Sequence, residues 1–225
     1  MKATELIAHL RKKRDTRNLR EMEKLGINIT NAMGTPIPDL RLLAKRIGLH
    51  QEISLELWED PLHEAKILAA LLGDPKLVTE RQMEEWVAGF DSWDVCDQVC
   101  GNLFDKTPFA YKKAVAWSNR KEEFVKRAGF VLMACLAVHD KKVSGAAFEK
   151  FFPIITREAT DERNYVKKAV SWALRQIGKR SLTLNRKAID VAKLIGHLNT
   201  PSAKWIASNA LHDLQNEKLQ KRLME

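Results

Sequence analysis

The side chains best suited to chemistry crowd into one segment, FDSWDVCDQVC at residues 90–100. Asp91, Asp94 and Asp97 follow one another at i, i+3 and i+6, so a helix sets them along one side. Trp93 and Asp97 are i, i+4 and share a helix face. Three carboxylates this close repel unless something cationic faces them. Ser92 or Asp91 suits the N-cap of that helix, which leaves at least one acid without a structural task. Cys96 and Cys100 are also i, i+4, but no histidine lies within thirty residues of them. They read as small buried thiols, and no metal is expected. His63 and Glu64 adjoin in PLHEAKIL, yet Ile67 stands where a zinc protease needs its second histidine. No GxxxxGK[ST], GxGxxG or GxSxG occurs, so nucleotide binding and serine hydrolase chemistry have no support, and no cofactor is expected.

A second segment, NYVKKAVSWALRQIGKR at 164–180, surrounds Trp172 with Lys167, Lys168, Arg175, Lys179 and Arg180. An aromatic among cations offers stacking or sugar contact beside phosphate neutralisation, which is what a nucleic-acid surface needs. Arg127 sits in an apolar helical run, where a buried guanidinium wants an aspartate of the 91–97 segment or an external anion. Trp58, Trp86, Trp117 and Trp205 are expected in the core.

The elements that must hold these residues are helices. The chain has only 10 glycines and 7 prolines in 225 residues, and no Asn-Gly or Asp-Gly hairpin turn. Apolar residues recur at helical spacing in LHEAKILAALL, VKRAGFVLMACL, VKKAVSWALRQIG and AKWIASNALHDL. Breaks fall at GTPIP (34–38), GDP (73–75), KTP (106–108), Gly145 and NTPS (199–202). Anchored on Ala65, Val95, Ala128, Ala169 and Ala203, the helices repeat at steps of 30, 33, 41 and 34 residues. Paired helices at such steps predict an all-α solenoid of HEAT-like repeats with one concave face.

The formal charge is +9, and its distribution says more than its sum. Residues 1–50 carry a net +6, residues 51–110 a net −9 and residues 111–225 a net +12. Basic flanks suit a polyanionic partner. The acids of the middle, Asp97 apart, are expected mostly on the outer surface. Three cysteines and no leader-like apolar run predict a reduced, cytoplasmic protein, and no stretch approaches the ~20 apolar residues of a membrane span.

WDVCD (93–97), EEFVKRAGFVLMA (122–134) and NYVKKAVSWALRQIGKRS (164–181) resemble the AlkD-like DNA alkylation repair family. GTPIPDLRLLAKRIG (34–48) and LWEDPLHEAKILAALL (57–72) are similar to it as well, in matching order. The resemblance runs from about residue 20 to 181, and residues 182–225 share only the pattern. It implies a single HEAT-like domain over 1–225, a monomer that wraps duplex DNA on a basic concave face. It also implies monofunctional glycosylase activity that releases N3- and N7-alkylated purines without flipping the base into a pocket. By position, Asp97 matches the family's catalytic aspartate, which stabilises the oxocarbenium-like sugar. Trp93 and Trp172 match its two deoxyribose-holding tryptophans, and Arg127 the arginine beside aspartate and phosphate. One departure is that residues 1–57 contain no aromatic, so REMEKLG (20–26) lacks the tyrosine that members can place near DNA.

Two other functions fit the same pattern. A catalytically silent member would bind distorted or branched duplexes through the basic face, with strong salt dependence. A HEAT-type scaffold would instead present an apolar groove to a protein.

Overall fold

The computed structural model describes residues 2–225, and among these every regular element is helical. The packing divides the chain into two compact units, one ending at Pro108 and one starting at Phe109.

The first unit holds α1 (Ala3–Arg11), α2 (Thr16–Lys24), α3 (Ile37–Ile47), α4 (Gln51–Trp58), α5 (His63–Leu72), α6 (Glu80–Ala88) and α7 (Trp93–Asn102). A short 3-10 turn, Phe104–Lys106, follows. α5 is the unit's centre. Its HEAKILAALL sequence is apolar almost all round, so it needs neighbours on every side. It packs against α1, α3, α4 and α7. Trp58 and Trp86 stack with ring centroids 4.2 Å apart, and Phe90 meets Trp58 edge-on. The long connection from α2 to α3 is held at Gly34. Its φ of +82° and the 2.4 Å that would separate an added Cβ from the Asp15 carbonyl admit only glycine.

The second unit holds α8 (Ala110–Ser118), α9 (Glu123–His139), α10 (Gly145–Glu149), α11 (Phe152–Glu158), α12 (Asn164–Gly178), α13 (Leu182–Gly196), α14 (Pro201–Leu214) and α15 (Glu217–Met224). α9 runs through its middle, buried without a gap from Arg127 to Ala137. It lies against α8 on one side and α12 on another, and α12 in turn packs on α13 and α14. Gly129 makes the α8–α9 approach possible, since a Cβ there would lie 2.5 Å from the Ser118 nitrogen.

The predicted repeat is visible in the burial. Ala65, Val95, Ala128, Ala169 and Ala203 are all fully buried, one on each of α5, α7, α9, α12 and α14. Small residues recur there because each of these helices packs closely against neighbouring ones. The predicted breaks hold with one adjustment. Gly145 is the first residue of α10, and the break lies just before it, where Asp140 accepts the Lys142 and Val143 N–H groups. At NTPS, Thr200 caps α14 by accepting the Ala203 N–H, and Pro201 takes the first helical position.

Candidate nucleic-acid interface

Ser92 is the N-cap of α7, as the sequence suggests, but its hydroxyl donates to Asp94 rather than receiving a backbone N–H. The three aspartates have separate fates. Asp91 is exposed and accepts from the Asn28 side-chain amide at 3.0 Å. Asp94 is buried and lies 2.8 Å from His63 Nε2. Burial alone would raise the Asp94 pKa. The hydrogen bond and charge of His63, with the Ser92 hydroxyl, outweigh burial and hold it below the ordinary carboxylate value. Burial likewise pulls His63 down, but Asp94, then the charges of Glu64 and Asp91, leave it raised. Asp97 is half-buried, one turn beyond Trp93 on the same helix face.

Trp93 is half-buried too. Its Nε1–H donates to the Leu25 carbonyl at 3.0 Å, and its ring rests on the cluster of Leu19, Met22, Ile27 and Ala32. The stretch REMEKLG therefore does lie beside this tryptophan.

In the second unit Arg127 is buried on α9, and its Nη1 donates to the Tyr165 carbonyl at 2.7 Å, reaching the first turn of α12. Trp172 is half-buried in the middle of α12. The five cations around it differ in what they do. Lys168 is exposed. The Lys167 ammonium lies 5.7 Å from the centroid of the Trp205 ring. Arg175 and Lys179 both reach Asp213, at 3.1 and 2.5 Å. Burial raises the Asp213 pKa, but these two cations outweigh it and hold the carboxyl below its ordinary range. Arg180 donates to the Ala137 and Val143 carbonyls and lies over the Phe148 ring at 4.1 Å, so it braces the C-terminal end of α9.

One expectation needs correcting. Trp205 was expected in the core, whereas it is 39% exposed. The spacing of Ala203, Ile206, Ala207, Ala210 and Leu214 already leaves position 205 off the apolar stripe. With Lys167 over its ring, it forms the first of three contacts at a constant 38-residue offset. Ser171 to Asn209 and Arg175 to Asp213 are the others. Most acids of the middle segment reach the surface, and three are buried. Glu64 is 1% exposed, and its carboxylate accepts the N–H groups of Met33, Gly34 and Thr35. Asp94 and Asp105 are buried with it. Sequence reasoning missed the structural weight of His63, Glu64 and Asp213. The adjacent His-Glu pair opening an otherwise apolar helix was the available signal for the first two. Trp58, Trp86 and Trp117 lie in the core as expected, and the three thiols are buried. No described helix is long and apolar enough to cross a membrane.

Comparison with known proteins bears on this arrangement. A solved structure described as "A new family of proteins related to the HEAT-like repeat DNA glycosylases with affinity for branched DNA structures" superposes with a TM-score of 0.81. The match covers 99% of this chain and 96% of that one, at 20% identity, and so establishes the shared HEAT-like fold. No curated protein matches the chain. The profile of the family described as DNA alkylation repair enzyme matches residues 6–214, a span that includes α7, α9 and α12 entire. The chain belongs to the DNA alkylation repair enzyme family.

Proposed function

We propose that the protein is a monofunctional DNA glycosylase that releases N3- and N7-alkylated purines from duplex DNA. The observation that carries this reading is the pairing of Trp93 and Asp97, both half-buried, on one face of α7. An aromatic face suits the apolar side of a deoxyribose. A carboxylate one turn away suits the positive charge that develops on the sugar as a cationic base departs. Alkylation at N3 or N7 already makes the purine a good leaving group. The protein then has to stabilise the sugar and position water, and the base need not enter a pocket.

Trp172 and Arg127 complete the set as a second sugar contact and a cation for the phosphate. Lys167 and Lys168 neutralise backbone charge, with Arg175 and Lys179 contributing what Asp213 leaves of theirs. The reading is of a monomeric cytoplasmic protein in which each unit contributes DNA contacts of its own.

The test is mass analysis of bases released from methylated duplex DNA. Wild type is expected to release 7-methylguanine and 3-methyladenine. Asp97→Asn is expected to keep its DNA affinity and lose about 10²–10³ of the rate, the scale for removing one preorganised electrostatic stabiliser. Normal release by Asp97→Asn would remove that residue from the chemistry.

A second reading is a DNA-structure-binding protein without base release. The affinity for branched DNA described for the similarly folded protein favours it, as does the absence of an aromatic in residues 1–57. It predicts preference for a four-way junction over a linear duplex of equal length, and no released base.

A further inference from the structure

His63 is not among the residues assigned to the reaction and is only 6% exposed. Its surroundings nevertheless converge on them. Its imidazole contacts Asp94 at 2.8 Å, and Asp94 stands between Trp93 and Asp97 in the first turn of α7. The Ser92 hydroxyl donates to the other oxygen of the same carboxylate. Asp94 is therefore gripped from two sides, and a helical turn moves as a unit. Wherever Asp94 is held, Trp93 and Asp97 are held.

His63 is itself anchored. Its backbone N–H donates to the Asn31 carbonyl at 2.8 Å. The next residue, Glu64, takes three successive N–H groups from Met33, Gly34 and Thr35. The start of α5 is thus riveted to the connection between α2 and α3. The same connection begins with Leu25, whose carbonyl receives the Trp93 indole N–H, and it contributes Ile27 and Ala32 to the surface beneath that ring. Trp93 is fixed at both ends, by its indole to this connection and by its backbone through Asp94 to His63. Both routes close on the first turn of α5. A buried ion pair is a costly way to obtain stability alone, because two charges must be desolvated, while its directional contacts set one geometry.

We propose that His63 is a positioning residue, which through Asp94 sets the first turn of α7 and so the placement of Trp93 and Asp97 against the sugar. This rests on the glycosylase reading above. The groups facing the imidazole are Asp94 on α7, Glu64 on α5 and Asp91 just ahead of α7. The imidazole is the group among them whose type titrates near neutrality. Its protonated form donates to Asp94, so the grip is strongest at low pH and slackens as pH rises through the raised histidine value.

The experiment measures single-turnover release of 7-methylguanine at saturating protein from pH 5.5 to 9, with duplex affinity determined in parallel. Wild type is expected to lose rate with rising pH while its affinity follows the His63→Gln protein's. His63→Gln is expected to lack the pH step and to run about tenfold slower than wild type below neutrality, within the range seen for small misplacements of catalytic groups. If His63→Gln does not fold, the His63→Gln, Asp94→Asn double variant replaces it, since it retains a hydrogen bond without a buried charge. A folded variant with the wild-type saturating rate and pH profile would overturn the proposal. A readout independent of chemistry separates it from the glycosylase reading. The indole N–H resonance of Trp93, assigned by its loss in Trp93→Phe, is expected to titrate with His63 and to stop doing so in His63→Gln. If wild type releases no base, the glycosylase reading fails, and an indole signal unaffected by His63→Gln would then overturn the positioning role as well.

Discussion

His63 and Asp94 show how one buried contact divides its effect across pH. His63 is raised above its ordinary 6.5, so its contribution is fully present below that value and is lost as pH rises through the folded value. Asp94 is lowered below 3.8, so its contribution is present above that value and is lost as pH falls through the folded value. Between these limits the pair supports the fold, and alkali weakens it. The thermal midpoint of wild type should therefore fall between pH 6 and pH 9 by more than that of the His63→Gln, Asp94→Asn double variant. Equal slopes would show that the pair does not supply the pH dependence. Truncation of one partner is a different matter. Asp94→Ala strands a buried imidazole and should cost about 3–5 kcal/mol of stability, measured by denaturant unfolding at pH 6.

At the scale of the element, α12 illustrates how a run of like charges conceals unlike tasks. From the sequence its cations form one basic face. In the folded unit Lys168 is exposed, Arg175 and Lys179 share Asp213, and Arg180 is spent on two carbonyls and a phenyl ring. Lys168→Glu should weaken duplex binding several-fold with no change in unfolding midpoint, and the loss should be larger at low salt. Arg180→Ala should do the reverse. It leaves the Ala137 carbonyl at the end of α9 and the Val143 carbonyl in the following connection without this donor, and should cost about 2 kcal/mol in a chemical unfolding curve, with little change in affinity. A swapped result would mean that Arg180, not Lys168, faces the phosphates. The predictability of α12 itself was high, because Val166, Ala169, Val170, Ala173 and Ile177 recur at helical spacing and are all fully buried. Asp213 lies 38 residues downstream of Arg175, so no local pattern could pair them.

At the scale of the whole molecule, a net charge of +9 with an acidic middle segment is compatible with DNA binding if the acids are absorbed or turned away. Glu64 and Asp94 are absorbed, the first by three backbone N–H groups and the second by His63 and Ser92. Duplex affinity should then fall linearly on a logarithmic salt scale, with a slope near −0.9 for each phosphate neutralised. A titration by fluorescence anisotropy across salt measures this, and a flat profile would remove the electrostatic interface altogether.

The sequence by itself determined the helical class, the repeat spacing and the family. These depend on periodicity and on short ordered motifs, which survive in one dimension. It also singled out Trp93 and Asp97 as partners, because i, i+4 geometry within a helix needs no tertiary information. Only the tertiary structure decided that Asp91 meets Asn28 and Asp94 meets His63. Asn28 and His63 lie 63 and 31 residues from the acids they hold, and ion-pair and hydrogen-bond partners that distant are brought together by packing alone. The same holds for the cations of α12, whose availability is set by acids and carbonyls that the chain returns to their side.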